Sequence, residues 1–127
     1  DTMKRKQFVK GISQIAQEGA IQIFQEYNTG MEEIIVGVVG VLQFEVLSFR
    51  LKNEYNVEIK LDQLPYGYIR WVEHYTEVDI DHIQGTSDMK IVKDLKDRPL
   101  LLFAHEWSVG MVLERNKELK LTEFSRN

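Results

Sequence analysis

The segment at residues 36–40, VGVVG, is the first place in this 127-residue sequence with residue types suited to chemistry. Glycines between a strand and a helix can expose backbone N–H groups to a phosphate. A Walker phosphate loop, however, needs Lys followed by Ser or Thr after its last glycine, and Val41 and Leu42 follow Gly40 here. We therefore interpret Gly37 and Gly40 as positions that let the following helix pack closely on the sheet.

Two histidines and two aspartates offer metal ligands in the middle of the sequence: His74, Asp79, Asp81 and His82. No pair among them has the i, i+4 spacing with which a helix binds zinc. Residues 105–109, HEWSV, fail the HExxH pattern because the last residue is valine. We predict no metal site and no catalytic residue, with a metal-binding domain that uses these side chains as the alternative.

Aromatic residues near position 70 are the third candidate, since aromatic rings on a sheet can stack on the bases of single-stranded RNA. Tyr66, Tyr68, Arg70 and Trp71 are the residues concerned. Side chains on one face of a strand are two residues apart, so Trp71 points away from Tyr68 and Arg70. We expect Trp71 in the core and the other two at the surface, with a small RNA-binding module as an alternative function.

The amino-acid composition limits the kinds of protein to which this chain can belong. With 43% hydrophobic and 28% charged residues, the sequence predicts one globular domain over residues 1–127. No apolar run reaches the ~18 to 20 residues that span a bilayer, and the absence of cysteine fits a reducing compartment, so we expect a cytoplasmic protein with no membrane partner. The first residue is Asp1 rather than methionine, which predicts a fragment of a longer protein.

Charge is unevenly distributed along the chain. The net charge of −4 disfavours DNA as a partner and restricts any RNA contact to a local patch. Lys4, Arg5 and Lys6 form a basic cluster near the start, whereas residues 71–89 carry no Lys or Arg and five acids: Glu73, Glu77, Asp79, Asp81 and Asp88. The two surfaces could meet different partners, and the alternative for each is an ordinary solvated face.

The first half of the chain predicts the order helix, strand, strand, helix, strand. Apolar spacing indicates a helix over residues 3–17, then a hairpin with arms at 21–25 and 33–38 about a turn at 28–30. The second arm is apolar enough to be a central strand. A strand is also predicted at 57–61, where apolar and polar residues alternate.

The helix at residues 42–55 is predicted to be buried. Phe44, Leu47, Leu51 and Tyr55 lie on one helical face, with three more apolar residues beside them: Leu42, Val46 and Phe49. Asn56 can end this helix in the left-handed conformation.

In the second half we predict a strand at 68–75, a short helix at 79–84, a hairpin with arms at 89–92 and 100–104, a helix near 107–116 and a last strand at 119–122. Pro99 is limited to the turn or to the first position of its strand. Helices interspersed with hairpins favour an α+β fold, an open-faced sandwich whose mostly antiparallel sheet has helices packed on one side.

Several segments resemble the peptide-chain release factor three family in order and spacing. They are QFVKGISQIAQEGAIQIFQEY, IIVGVVGVLQFEVLSFRLKNEYNVEI and YIRWVE, of which residues 37–55 are the most specific. A related glycine, leucine and glutamate pattern occurs in the third domain of elongation factor G. The resemblance is strong over residues 3–73 and looser at 97–107, and residues 76–96 match no pattern, so their role is not predicted.

The resemblance implies the C-terminal domain, domain III, of a bacterial translational GTPase, with a ferredoxin-like fold similar to domain III of elongation factor G. It implies GTPase and β-barrel domains upstream, which would bind GTP and magnesium. This chain would have no catalytic residue, nucleotide-binding residue or cofactor. The implied function is ribosome interaction in support of the GTP-dependent recycling of class I release factors during translation termination.

The implied partners are the ribosome, through a small-subunit protein and rRNA, and the upstream domains. Four basic residues are candidates for rRNA contact: Lys4, Arg5, Lys6 and Arg50. Four other residues are expected to seat the buried helix: Gly37, Gly40, Phe44 and Leu51.

Overall fold

The structure is a computed structural model that describes residues 2–28 and 33–124. The helices are α1 (Thr2–Gln17), α2 (Leu42–Tyr55) and α3 (Glu106–Arg115). The strands are β1 (Gln22–Glu26), β2 (Ile34–Gly37), β3 (Tyr68–Val72), β4 (Lys90–Lys93), β5 (Pro99–Phe103) and β6 (Leu121–Thr122). Two 3-10 turns, Tyr75–Glu77 and Ile80–His82, lie between β3 and β4. The strands form an open antiparallel sheet, which confirms the predicted α+β class.

The chain divides into two compact units. The first is built from Asp1–Phe24 and Ile34–Gln63, and the second from Gln25–Glu33 and Leu64–Asn127, so β1 contributes residues to both. Each unit has its own cluster of buried apolar side chains. The single domain over residues 1–127 stays a prediction.

The core of the first unit lies between α1 and α2. Ile12 and Ile15 of α1 are one turn apart, as are Leu47 and Leu51 of α2, and all four are at most 1% exposed. Ile23 of β1 belongs to the same cluster. Burying such side chains contributes roughly 1.5 to 3 kcal/mol each, so these two helices account for much of the stability of the unit.

The core of the second unit is built on β5, in which every residue is buried. The strand order here is β1-β4-β5-β3-β6, and the register of the β4 and β5 hairpin begins with Lys93 opposite Pro99. Pro99 is the first residue of β5, which confirms its predicted position. Leu101 and Phe103 cluster with Val109 and Val112 of α3.

Two strand predictions are wrong. Among the strands that the structure describes, β2 lies at one edge, next to β1, and is not central. Residues 57–61 form no strand, although Val57 is buried in the core of the first unit and Ile59 packs against it. Alternation therefore reports which side chains are buried, and a strand also needs a partner with which to form backbone hydrogen bonds.

The remaining elements agree with the sequence to within a few residues. β3 is shorter than predicted and ends at Val72, and the helix predicted at 79–84 is the 3-10 turn Ile80–His82. Asn56 ends α2 with a φ of 56°, the predicted left-handed conformation. Thr29 and Gly30 of the predicted turn lie outside the described residues. No helix within 2–28 or 33–124 is long and apolar enough to cross a membrane.

Candidate interaction surfaces

The basic cluster lies at the exposed start of α1. Lys4, Arg5 and Lys6 are all exposed, and the first turn of the helix contains no acidic residue. Lys4 Nζ donates a hydrogen bond to the carbonyl oxygen of Asn56 at 2.6 Å, and the Arg5 guanidinium lies 5.9 Å from the centre of the Phe8 ring. The backbone N–H groups at a helix start are electropositive, so cations are disfavoured there.

Arg50, the fourth candidate for rRNA contact, lies between two carboxylates. Its Nε lies 2.7 Å from Glu54 Oε2, and its Nη1 lies 3.1 Å from Glu18 Oε1. The hydrogen bonds to Glu54 and Glu18 raise the pKa of Arg50, and the bond from Arg50 lowers the pKa of Glu54. A phosphate at Arg50 would therefore have to compete with both carboxylates.

The predicted seat of α2 at Gly37 and Gly40 needs correction. A Cβ at Gly37 would lie 3.2 Å from Cε2 of Phe24, a residue of β1, whereas a Cβ at Gly40 would meet nothing within 4 Å. The backbone N–H groups of Val39 and Gly40 donate to Gln43 Oε1, at 2.9 and 3.4 Å. The first turn of α2 thus supplies its own acceptor at the corner where a phosphate loop would bind its anion.

Gly11 of α1 makes the close contact that the sequence analysis missed. A Cβ on this buried glycine would come within 2.8 Å of Leu51 Cδ2 and 2.8 Å of Tyr55 Cγ. Leu51 is fully buried, while Phe44 is only half-buried. The sequence does contain a sign of this contact, because Gly11 lies among the apolar residues of a predicted helix. Glycine in a helix interior lowers stability by about 1 kcal/mol relative to alanine, so its presence there indicates that close packing requires it.

The prediction that α2 is a buried helix is wrong for one of its faces. Leu42, Val46 and Phe49 are 67%, 46% and 68% exposed, and Val39 and Val41 just before the helix are exposed as well. The i, i+4, i+7 spacing puts the three helical residues on one face. These five residues are called the outer apolar face below.

The candidate aromatic platform at residues 66–71 is divided between buried and half-buried side chains. Trp71 is buried as predicted, with the Arg98 guanidinium 5.1 Å from the centre of its ring. Tyr68 and Arg70, which the sequence predicts at the surface, are half-buried. Tyr68 packs against the cluster that contains α3, and Arg70 is half-buried with its Nη2 3.4 Å from Glu123 Oε1. Tyr66 is also half-buried, so no stack of exposed rings forms at residues 66–71.

Acidic side chains line a groove of about 510 Å³ in the second unit. Its charged and titratable lining residues are Glu73, His74, Glu77, Asp79, His82, Lys117, Glu118 and Lys120. His82 Nδ1 lies 2.7 Å from Asp79 Oδ2, and both side chains are exposed. Within residues 2–28 and 33–124, no three His, Asp or Glu side chains are grouped so that they could hold a metal ion.

Asp88 is an acid whose position the charge pattern did not predict. Its carboxylate accepts hydrogen bonds from Thr86 Oγ1 at 2.6 Å, Ser108 Oγ at 2.8 Å and the backbone N–H groups of Ala104 and His105 at 3.0 Å. The bond from Thr86, with those from Ser108 and His105, lowers the pKa of Asp88 to about 2. Asp88 thus caps the start of α3 from another segment of the chain.

Comparisons with known proteins match most of this chain. A family model described as the C-terminal domain of the class II release factor RF3 matches residues 1–113. Proteins called peptide chain release factor 3 match from Listeria welshimeri (42% identity over 96% of this chain), Nostoc punctiforme (44% over 94%) and Lactobacillus acidophilus (40% over 97%). The match covers 22% of the Listeria and Nostoc proteins and 23% of the Lactobacillus protein, so the chain spans about a fifth of their length. The chain belongs to the family of the class II release factor RF3, as its C-terminal domain.

Proposed function

We propose that this chain is a ribosome-docking domain in the cytoplasm, one that supports the GTP-dependent recycling of class I release factors during translation termination. GTP binding and hydrolysis, with magnesium, would take place in another part of the full-length protein. The relatives named peptide chain release factor 3 support this assignment, and so does a length about four to five times that of the chain.

The observation that carries the ribosome contact is the basic start of α1. Lys4, Arg5 and Lys6 are exposed in the first turns of a helix whose first turn has no acidic residue. Cations at this end oppose the helix dipole and cost stability, typically about 0.3 to 1 kcal/mol each. Phosphate binding would offset that cost, because Lys and Arg on rRNA phosphates release counterions. Arg50 is expected to contribute less because of its two carboxylate partners.

A small-subunit ribosomal protein would meet the acidic groove of the second unit. Glu73, Glu77, Asp79 and Glu118 outnumber Lys117 and Lys120 in its lining. A basic protein segment is complementary to such a surface, and complementary charge accelerates and orients docking more than it adds affinity. The groove therefore supports protein recognition, whereas the start of α1 supports phosphate recognition.

Nucleotide would control docking by changing how the rest of the protein presents this domain. If the GTP and GDP states hold the domain at different positions, ribosome contacts made in one state shift the equilibrium toward that state. The chain itself would not hydrolyse GTP.

The test is the salt dependence of ribosome binding by the full-length protein. Lys4→Ala, Arg5→Ala and Lys6→Ala are combined, and the slope of log affinity against log salt is measured. We expect weaker binding and a slope flatter by about 0.7 to 0.9 for each lost phosphate contact. A matched control combines Lys93→Ala and Lys96→Ala in the second unit.

We expect the control to bind like the wild type. Unchanged affinity and slope in the α1 variant, with GTP hydrolysis intact, would contradict rRNA binding through this helix. A full-length protein that fails to bind ribosomes at any salt concentration would overturn the docking function itself.

A further inference from the structure

Helix α2 is apolar on two opposite faces. Leu47 and Leu51 are buried in the core of the first unit. At 100° per residue, Leu42, Val46 and Phe49 point to the opposite side, where they are 46 to 68% exposed. A surface helix normally has one apolar face, which packs on the core, and a polar face opposite it. Within the described residues, α2 has cover on one side only.

The outer apolar face gathers exposed apolar residues within one short stretch of the chain. Three of them share a face of α2 by helical spacing, and the other two directly precede the helix: Leu42, Val46, Phe49, Val39 and Val41. Single exposed apolar side chains need no explanation, whereas a contiguous group marks an interaction site. Phe49 is an aromatic anchor of the kind enriched at protein interfaces.

The chemistry of this face fits protein better than RNA. The ionisable residues of α2 are two acids and two bases: Glu45, Glu54, Arg50 and Lys52. Arg50 is paired with Glu18 and Glu54, and Lys52 Nζ lies 3.6 Å from Glu58 Oε1. These residues therefore supply no net positive field to attract phosphate. Apolar interfaces of this kind are typical of permanent contacts, whereas transient contacts are more polar.

We propose that the outer apolar face docks against a protein surface formed by the part of the full-length protein outside these 127 residues. The inference rests on the proposed function, because it takes the chain to be one domain of a larger protein. The relatives supply the length that such a surface needs, since the match covers only 22% of the Listeria protein. A tethered partner is present at high effective concentration, so the apolar face would be covered in the folded protein.

The test is cysteine labelling of the full-length protein with a maleimide, after any cysteines elsewhere are replaced. The 127 residues contain no cysteine, so Val46→Cys and Phe49→Cys each introduce one thiol here. The matched control is Glu114→Cys, at an exposed position of α3. Each rate is divided by the rate of the same variant in denaturant, and an unchanged melting temperature verifies folding.

We expect the normalised labelling rates at positions 46 and 49 to be at least about tenfold lower than the rate at position 114. This difference should appear in the absence of ribosomes and at every protein concentration. A tenfold slowing corresponds to ~1.4 kcal/mol in favour of the closed interface. Equally fast labelling at all three positions would overturn the proposal. Slow labelling only at high protein concentration would assign the face to a second copy of the protein. Slow labelling only in the presence of ribosomes would assign it to the ribosome. Both outcomes would contradict docking within the protein.

The outcome is distinguishable from a failure of the proposed function. Slow labelling in a protein that does not bind ribosomes would support the docked face and remove the ribosome assignment. Fast labelling in a protein that binds ribosomes with the expected salt dependence would overturn the docked face and support the ribosome assignment.

Discussion

Helices α2 and α3 both follow a strand and bury one face in a core, but they differ in what surrounds their first turns. The start of α3 is bonded to Asp88, whose carboxylate accepts the N–H groups of Ala104 and His105. At the start of α2, the side chain of its own Gln43 accepts from the N–H groups of Val39 and Gly40, and the neighbouring Val41 and Leu42 are exposed. The start of α3 is thus completed within its own unit, whereas α2 presents apolar surface to a partner.

The apolar exposure of α3 is of a different kind. Trp107 is 63% exposed but stacks on His105, with the ring centres 5.9 Å apart. It neighbours Glu106 and Gly110 and is not part of a run of exposed apolar residues like that at 39–49. Of these two helices, α2 is therefore the one whose exposed apolar face fits a docking surface.

The largest expected effect separates the two faces of α2. Leu51→Ala removes a fully buried side chain and should lower the free energy of unfolding of the 127-residue chain by ~2 to 5 kcal/mol through the cavity that it leaves. Phe49→Ala, two residues away, should change it by less than about 0.5 kcal/mol because the ring is exposed. Denaturant unfolding measures both, and equal losses would contradict the assignment of inner and outer faces.

The next largest effect is on stability and concerns one glycine in each of two helices. Gly11→Ala should destabilise the chain, because overpacking against Leu51 and Tyr55 costs ~1 to 3 kcal/mol and exceeds the ~1 kcal/mol gained in helix propensity. A Cβ at Gly110 of α3 would meet nothing within 4 Å, so Gly110→Ala should stabilise the chain by the gain in helix propensity, ~1 kcal/mol. A shift of the same sign in both denaturation midpoints would show that α1 and α2 are not in close contact at Gly11.

The smallest expected effect concerns the Asp88 cap and depends on pH. The pKa of Asp88 is about 2 in the folded chain, below the ~3.9 of an unfolded aspartate. Its stabilisation is therefore present above about pH 4 and is lost as the pH falls toward 2. Asp88→Asn should melt at a lower temperature at pH 7 and show a shallower loss between pH 5 and pH 2.5.

The matched control for that experiment is Asp62→Asn, at an exposed position of the first unit. Its melting temperature should follow that of the wild type across the same pH range. If Asp88→Asn did so as well, the cap would contribute no stability.

Local patterns predicted the elements better than they predicted their surroundings. The bounds of α2 and the left-handed Asn56 followed from apolar spacing and from the tolerance of asparagine for positive φ. The same spacing places Leu42, Val46 and Phe49 beside the buried face and predicts that they are buried with it, whereas they are exposed. A sequence shows which residues of a helix are apolar and not which ones have a neighbour.

Long-range contacts account for the other differences. The close approach at Gly11 depends on Leu51 and Tyr55, forty or more positions away, whereas local spacing points to the glycines next to α2 in sequence. Asp88 was grouped with an acidic surface, although its partners Ala104, His105 and Ser108 lie 16 to 20 residues further on. Both contacts arise from tertiary packing, which periodicity does not encode.

The most direct test of ribosome docking is site-specific photo-crosslinking from the start of α1. A photoreactive residue replaces Lys6 in the full-length protein, and a second variant carries it at Lys117 in the second unit. The account predicts crosslinks to rRNA from position 6 and none from position 117 in the ribosome complex. Crosslinks to rRNA from position 117 alone, or from neither position in a complex that still forms, would contradict it.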